Sequence, residues 1–305
     1  MLSHYTSENG LISIARSQSL WATDFLSLND DSEFVYAFSA IHTVALGLLM
    51  EKLPADLRDD SKDAALIRSL PDRVVAELKA QTKAGDGYGA LYVCSFARGR
   101  NDDEETRGIL TLWDRYTRNA GYCLQFEETR VRHLLELESM RNSYAWIELA
   151  GVRYGVDQQG SEFRYLVAQL TAQMMRRVYL ETHDLRVGDQ IGDIAPDSVF
   201  ARRLLSFCGT HKDPAFSDER EMRILAYPVK ATEGRPFTGL AVPKTIYRRN
   251  SKPDGARYIV LGESVLPGFI PKRIVAGPNA QVMPQLLEAL YPLPPRFEKS
   301  TIPIR

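Results

Sequence analysis

The chain has 305 residues, 44% of them hydrophobic and 25% charged. That is enough apolar material for a sizeable core, and it excludes an intrinsically disordered chain. Lys and Arg number 38 against 39 Asp and Glu, a formal net charge of −1, which argues against a dedicated nucleic-acid coat or a polybasic membrane anchor but leaves room for a local basic groove.

Three well-separated cysteines, Cys94, Cys123 and Cys208, form neither a disulfide framework nor a Cys-rich zinc site. The first ten residues, MLSHYTSENG, lack the apolar run of a secretory signal. The longest apolar stretch, 44–50, falls well short of the ~20 residues a membrane helix needs. The expectation is a soluble, cytoplasmic protein with no membrane partner.

In chain order, residues 8–19 place Leu11, Ile14 and Ala15 on one helical face. Residues 20–28 read as a strand or extended segment, closed by cap oxygens on Asn29, Asp30, Asp31 and Ser32. Because LWATD follows an amphipathic helix directly, Trp21 is expected to be largely buried beside the next strand. A helix over 32–53, stopped by Pro54, and a second over 61–84 make a helical insert at about 32–84. ALYVCSFA (90–97) reads as a buried strand, RGRNDDEET as a charged, flexible loop, and 109–116 as a helix. GYCLQFE (121–127) is a strand followed by a helix to about 137. Residues 145–155 alternate as a strand, and 161–183 form a long amphipathic helix. Pro196 at the first helical position starts a helix over 197–209. Strands follow at 220–227, 256–262 and 272–278, then a helix at 280–290 and a Pro-rich tail from about 291. The whole, 1–305, reads as one α+β domain with a central mixed or antiparallel sheet and several flanking helices.

The chain contains no GxxxxGK[ST], no GxGxxG, no HExxH and no GxSxG, and its five histidines are scattered, so no metal site is indicated. What remains are polar residues in suggestive places. His4 sits where a first strand should end, Glu33 in the first turn of a helix, and Ser95 at the end of an apolar strand. Late in the chain, Glu219, Glu221 and Arg223 share a face if they lie in one strand. Two carboxylates on one face are costly unless a cation or a ligand lies between them.

The ordered set is His4-Tyr5-Thr6-Ser7, Leu20-Trp21-Ala22-Thr23, Leu28-Asn29-Asp30-Asp31-Ser32-Glu33, Ser95-Phe96, Trp113 with Tyr116, Gly121, Phe216 through Arg223, and a closing IVAGP. Over nearly the whole chain it resembles a widespread bacterial family labelled a domain of unknown function, number twenty-nine seventy-one. The stretch around 54–84 and the acidic loop 102–105 depart from that pattern. A more distant likeness is to ADP-ribosyltransferases, whose opening resembles His-x-Thr, a short helix and a strand. That likeness implies that His4 holds the nicotinamide-side ribose of NAD and that Ser95 or Tyr92 shapes the nicotinamide pocket. It implies that Glu221, with Glu219, binds a ribose hydroxyl and stabilises an oxocarbenium-like sugar. Tyr5, Thr6 and Trp21 would help to hold the nucleotide, the aromatic rings by stacking. NAD would be a substrate, no metal would be needed, and the acceptor is left open.

Three readings follow. The first is an NAD-using ADP-ribosyltransferase-like enzyme acting in phage defence or as a toxin-like effector. The second is a non-catalytic ligand-binding or sensor module of the same fold. The third is a metal-dependent nuclease or hydrolase built on Asp30, Glu33, Glu219 and Glu221. Geometry separates them: His4, Ser95 and Glu221 on one cleft favours the first, and Asp30 and Glu33 beside Glu221 without His4 favours the third.

Overall fold

The computed structural model describes residues 1–28, 31–53, 69, 73, 76, 86–182, 198–230, 241–249, 256–263, 265, 267–281, 291 and 295–302. Nearly all of the expected helices at 61–84 and 280–290 lies outside these residues, as do the cap at 29–30, Pro54 and Pro196. The chain is α+β and divides into two compact units: Met1–Phe25, Tyr92–Val152 and Ala215–Arg305 form the first, and Leu26–Leu91 with Arg153–Pro214 the second.

The first unit is built on a mixed eleven-stranded sheet. Its strands begin with β1 (Leu2–Thr6), β2 (Leu20–Asp24), β3 (Tyr92–Ala97), β4 (Tyr122–Phe126) and β5 (Asn142–Gly151). After β6 (Arg153–Tyr154) and β7 (His211–Lys212) of the second unit come β8 (Glu221–Pro228), β9 (Val242–Pro243), β10 (Ile246–Arg248), β11 (Arg257–Leu261), β12 (Arg273–Ala276) and β13 (Arg296–Lys299). The helices of this unit are α1 (Glu8–Ser17), α3 (Asp102–Arg107), α4 (Leu110–Thr117) and α5 (Glu128–Arg141); α2 (Asp31–Lys52), α6 (Ser161–Thr182) and α7 (Val199–Thr210) belong to the other.

Strand β3 is the hub. One of its edges pairs with β8 along its whole length, from Tyr92↔Ala226 to Ala97↔Glu221. Its other edge is shared. Tyr92 and Val93 pair with β2, which leads to β11 and β10, while Ala97 pairs with Ser3 of β1, which leads to β4, β12 and β13. Among the described residues, no strand pairs with Cys94, Ser95 or Phe96 on that second edge. The sheet therefore parts beside the middle of β3, and it is there that side chains rather than a ladder must satisfy the backbone.

Four expectations change. The charged loop holds α3: Asn101 Oδ1 accepts from Glu104 N at 2.9 Å, and four acidic residues sit in the first turn, where the helix dipole favours them. Trp21 is 46% exposed rather than buried, because β2 turns Leu20, Ala22 and Asp24 inward and Trp21 outward. The Pro-rich tail supplies β13, parallel to β12. Helix α7 starts at Val199, with Ser198 Oγ accepting from Ala201 N at 3.1 Å as its cap. All three cysteines are buried, free thiols.

In the second unit α2 packs against α6 and α7. Its stretch Glu33–Lys52 is long and apolar enough, by length and composition, to cross a membrane, a wider window than the apolar run 44–50. Phe34, Ala37, Phe38, Ile41, Ala45 and Leu49 of that helix are buried. Glu33, buried in its first turn, pairs with buried Lys212 Nζ at 2.7 Å.

Candidate functional site

A cleft with about 490 Å³ of empty space, part of it open to solvent, lies in the first unit where the sheet parts. Strand β1 contributes Ser3, His4 and Tyr5, and β3 contributes Ser95, Phe96 and Ala97. Helix α4 contributes Leu112 and Tyr116, and Glu219 and Glu221 complete the lining.

His4 bridges the gap left by the parted strands. Its Nδ1 lies 3.0 Å from the Ser95 carbonyl, on the edge of β3 that has no ladder partner, and its ring meets Phe96 at 5.7 Å. The ring lies deep in the protein, although the cleft leaves part of its surface open to water. Loss of hydration holds its pKa below the usual histidine value, with the Ser95 carbonyl pulling the other way. Ser95 is exposed, whereas the rest of β3 is buried. Tyr5 is fixed by its surroundings: its hydroxyl accepts from Ile109 N at 2.7 Å, and its ring meets Trp113 edge-on at 4.9 Å. Trp113 in turn donates from Nε1 to the Arg107 carbonyl at 2.9 Å. A Cβ at Gly108, whose φ is +81°, would sit 2.5 Å from that same nitrogen, so this aromatic wall depends on glycine there.

The two late carboxylates reach the cleft by different routes. Glu219 closes a 3₁₀ turn, Pro214–Glu219, and β8 begins only at Glu221. Between them Arg220 adopts φ +43°, a left-handed conformation rare outside glycine. The continuous strand expected from alternation is thus interrupted, yet both side chains line the cavity. The turn is held from the other side: Arg98 N donates to the Arg220 carbonyl at 3.1 Å, and Arg220 Nη1 reaches Glu104 Oε2 at 2.7 Å. Arg100 Nη2 meets Asp218 Oδ1 at 2.9 Å.

Each carboxylate has its own cation, which answers the like-charge cost anticipated above. Glu219 accepts from Arg115 and, at 3.3 Å, from the Tyr116 hydroxyl; the Arg115 guanidinium also lies 5.4 Å above the Phe216 ring. Glu221 is gripped by Arg223 in a fork, Nε to Oε1 at 2.7 Å and Nη2 to Oε2 at 2.9 Å. Two parallel charge-assisted bonds fix both the orientation and the ionised form of a carboxylate. Neighbouring Cys94 is no nucleophile at neutral pH, because burial, with the Glu221 charge behind it, pushes its thiol up to about 12.

Of the residues singled out from sequence, His4, Tyr5, Ser95, Glu219 and Glu221 line this cleft. Thr6, Trp21 and Tyr92 do not: Tyr92 is fully buried at the far end of β3, and Trp21 stands on the surface. Arg115 and Tyr116, the partners of Glu219, were not foreseen as a pair acting on one carboxylate. The signal was their place on the LWDRY helix, where Leu112, Arg115 and Tyr116 fall at three- and four-residue spacing. Among the described residues no group of three His, Cys, Asp or Glu is placed to hold a metal ion.

The site is thus a charged cleft between parted strands of an α+β sheet. Residues 112–224 match a family model described as "Protein of unknown function (DUF2971)". The match takes in Tyr116, Glu219 and Glu221; the earlier motifs, from His4-Tyr5-Thr6-Ser7 to Ser95-Phe96, lie outside it. No curated protein and no solved structure matches the chain.

Proposed function

We propose that the cleft binds the nicotinamide ribose of NAD and that the protein is an ADP-ribosyltransferase-like enzyme. The observation that supports this is the convergence of His4, Ser95 and Glu221 on one cavity. In this reading the bond between ribose and nicotinamide breaks, the bonding electrons leave with nicotinamide, and positive charge builds on the sugar. Glu221, kept ionised by the Arg223 fork, faces that charge in a partly dehydrated site. His4 orients a ribose hydroxyl, and Tyr5 walls the nicotinamide side.

The same fork favours a second reading. A carboxylate already satisfied by an arginine serves a non-catalytic binding module equally well. NAD titration by calorimetry and nicotinamide release, measured on wild type, Glu221→Gln and His4→Ala, separate the two. The enzyme reading expects binding and release, with release lowered roughly 100-fold or more in Glu221→Gln, as when a transition-state donor is lost. Binding without release assigns the module. If NAD does not bind, the nucleotide assignment fails in both forms.

A further inference from the structure

Trp21 is left unexplained by the cleft. Together with β11 and β10 it forms a row of stacked rings on the open face of the sheet. Trp21 stacks on Tyr258 at 4.5 Å with 28° between planes, and Tyr258 stacks on Tyr247 at 5.3 Å with 22°. The Arg249 guanidinium lies 5.5 Å from the Trp21 ring centre. Arg248 and Arg249 are exposed, and neither forms an ion pair with a described residue. Between 245 and 258 the chain has Arg248, Arg249, Lys252 and Arg257 against one acid, Asp254. Arg257 turns inward to Asp24 at 3.2 Å, and Glu263, which accepts from the Tyr247 hydroxyl at 3.1 Å, is the acid at the end of the row.

The register places this row on the same face as Ser95, Ala97 and Glu221 of the cleft. Tyr247 pairs with Tyr258, Tyr258 with Thr23, Thr23 with Val93, and Ala97 with Glu221. Directly opposed residues share a face, as do alternate residues along β3 from Val93 through Ser95 to Ala97.

We propose that this row is a platform for single-stranded nucleic acid. A base stacks on Trp21 in exchange for the Arg249 guanidinium, and Arg248 and the released Arg249 take the flanking phosphates. An exposed cation–π contact is weaker than base stacking on an indole, so the exchange is downhill. A neutral apolar partner would leave both guanidinium groups without counter-charges, and a polyanion supplies them. The proposal stands apart from the NAD reading, since no turnover is needed to see it.

The test is fluorescence anisotropy of labelled oligothymidine and mixed-sequence RNA, each about twelve nucleotides long. It uses the full chain with wild type, Trp21→Ala and the double variant Arg248→Ala/Arg249→Ala, each also melted thermally. Expected are saturable binding that weakens with salt and a loss of roughly tenfold or more in Trp21→Ala. The double arginine variant should bind more weakly with a shallower salt slope, and all melts should be near wild type. The proposal is overturned if no strand binds below about 100 μM at low salt. It is equally overturned if duplex binds as well as single strands, if Trp21→Ala binds like wild type, or if Trp21 instead recognises an uncharged oligosaccharide or an apolar peptide.

Discussion

Glu138 and Glu221 are both buried carboxylates of the sheet unit, each opposite a buried cation, and they are held in opposite ways. Glu138 is a junction. Its Oε1 accepts from Lys244 Nζ at 2.5 Å, Tyr144 hydroxyl at 3.0 Å and Asn142 Nδ2 at 3.1 Å, and its Oε2 accepts from Gly262 N at 3.1 Å. Those donors come from β5, from the turn between β9 and β10, and from the turn after β11, so one side chain on α5 ties three separate segments. Glu221 is gripped by Arg223, two residues along its own strand, and it borders empty space. A charge that closes a junction serves the fold, and a charge clamped locally at a cavity wall is available to a ligand.

The sharpest way to break this contrast is at the junction. Glu138→Gln removes the carboxylate that faces buried Lys244, and denaturant melts should show a loss of about 3–5 kcal/mol. Adding Lys244→Met should recover part of it, since an apolar side chain there no longer needs the missing carboxylate. A loss below ~1 kcal/mol would place Glu138 with the ordinary surface acids.

At the cleft, Glu221→Gln should cost less, about 1–3 kcal/mol, because Glu221 borders the cavity and the Gln carbonyl can still accept a hydrogen bond from Arg223. Its effect on nicotinamide release should be out of proportion to that loss. If both variants destabilise equally, the junction and the cavity wall are the same kind of site.

A smaller effect belongs to His4. Its folded pKa lies below the unfolded value of about 6.5, so below that pH the unfolded chain binds more protons. The stability contributed by the neutral ring is intact above about pH 6.5 and is lost as pH falls through the folded value. Buried His211 is shifted in the same direction, so only the difference between wild type and His4→Gln is informative. The fall in melting temperature between about pH 7 and pH 5 should be shallower in His4→Gln. Identical curves would mean that the His4 ring is fully hydrated.

Smallest of all, Trp21→Ala should change stability by less than ~1 kcal/mol, as befits an exposed ring. A loss of 3–5 kcal/mol, as for a buried large residue, would restore the burial expected from sequence.

Apolar runs bounded by turn residues made β3, β4, β8, β11 and β12 legible, and three- and four-residue spacing did the same for α1, α2 and α6. Helix α3 was hidden because DDEE has no apolar face; its stability comes from the Asn101 cap and the dipole. Trp21 was misjudged because alternation shows that neighbouring residues face apart but not which face is covered. Of the site, the residue types and their order were readable. The left-handed Arg220 was not, since nothing in Glu-Arg-Glu demands a positive φ. The parting of the sheet was not readable either, because it depends on two strands sharing one edge of a third.

That shared strand also governs the order in which the protein can be made. One edge of β3 finds its partner only when residues 221–226 exist, more than a hundred residues after β3 itself has been synthesised. Pairings so distant in sequence are slow to form, and until then a nascent chain carries an apolar strand with an open edge. A bare edge of this kind is a template for intermolecular pairing. Chains ending before residue 221 should therefore aggregate rather than fold, and full-length refolding should depend on protein concentration.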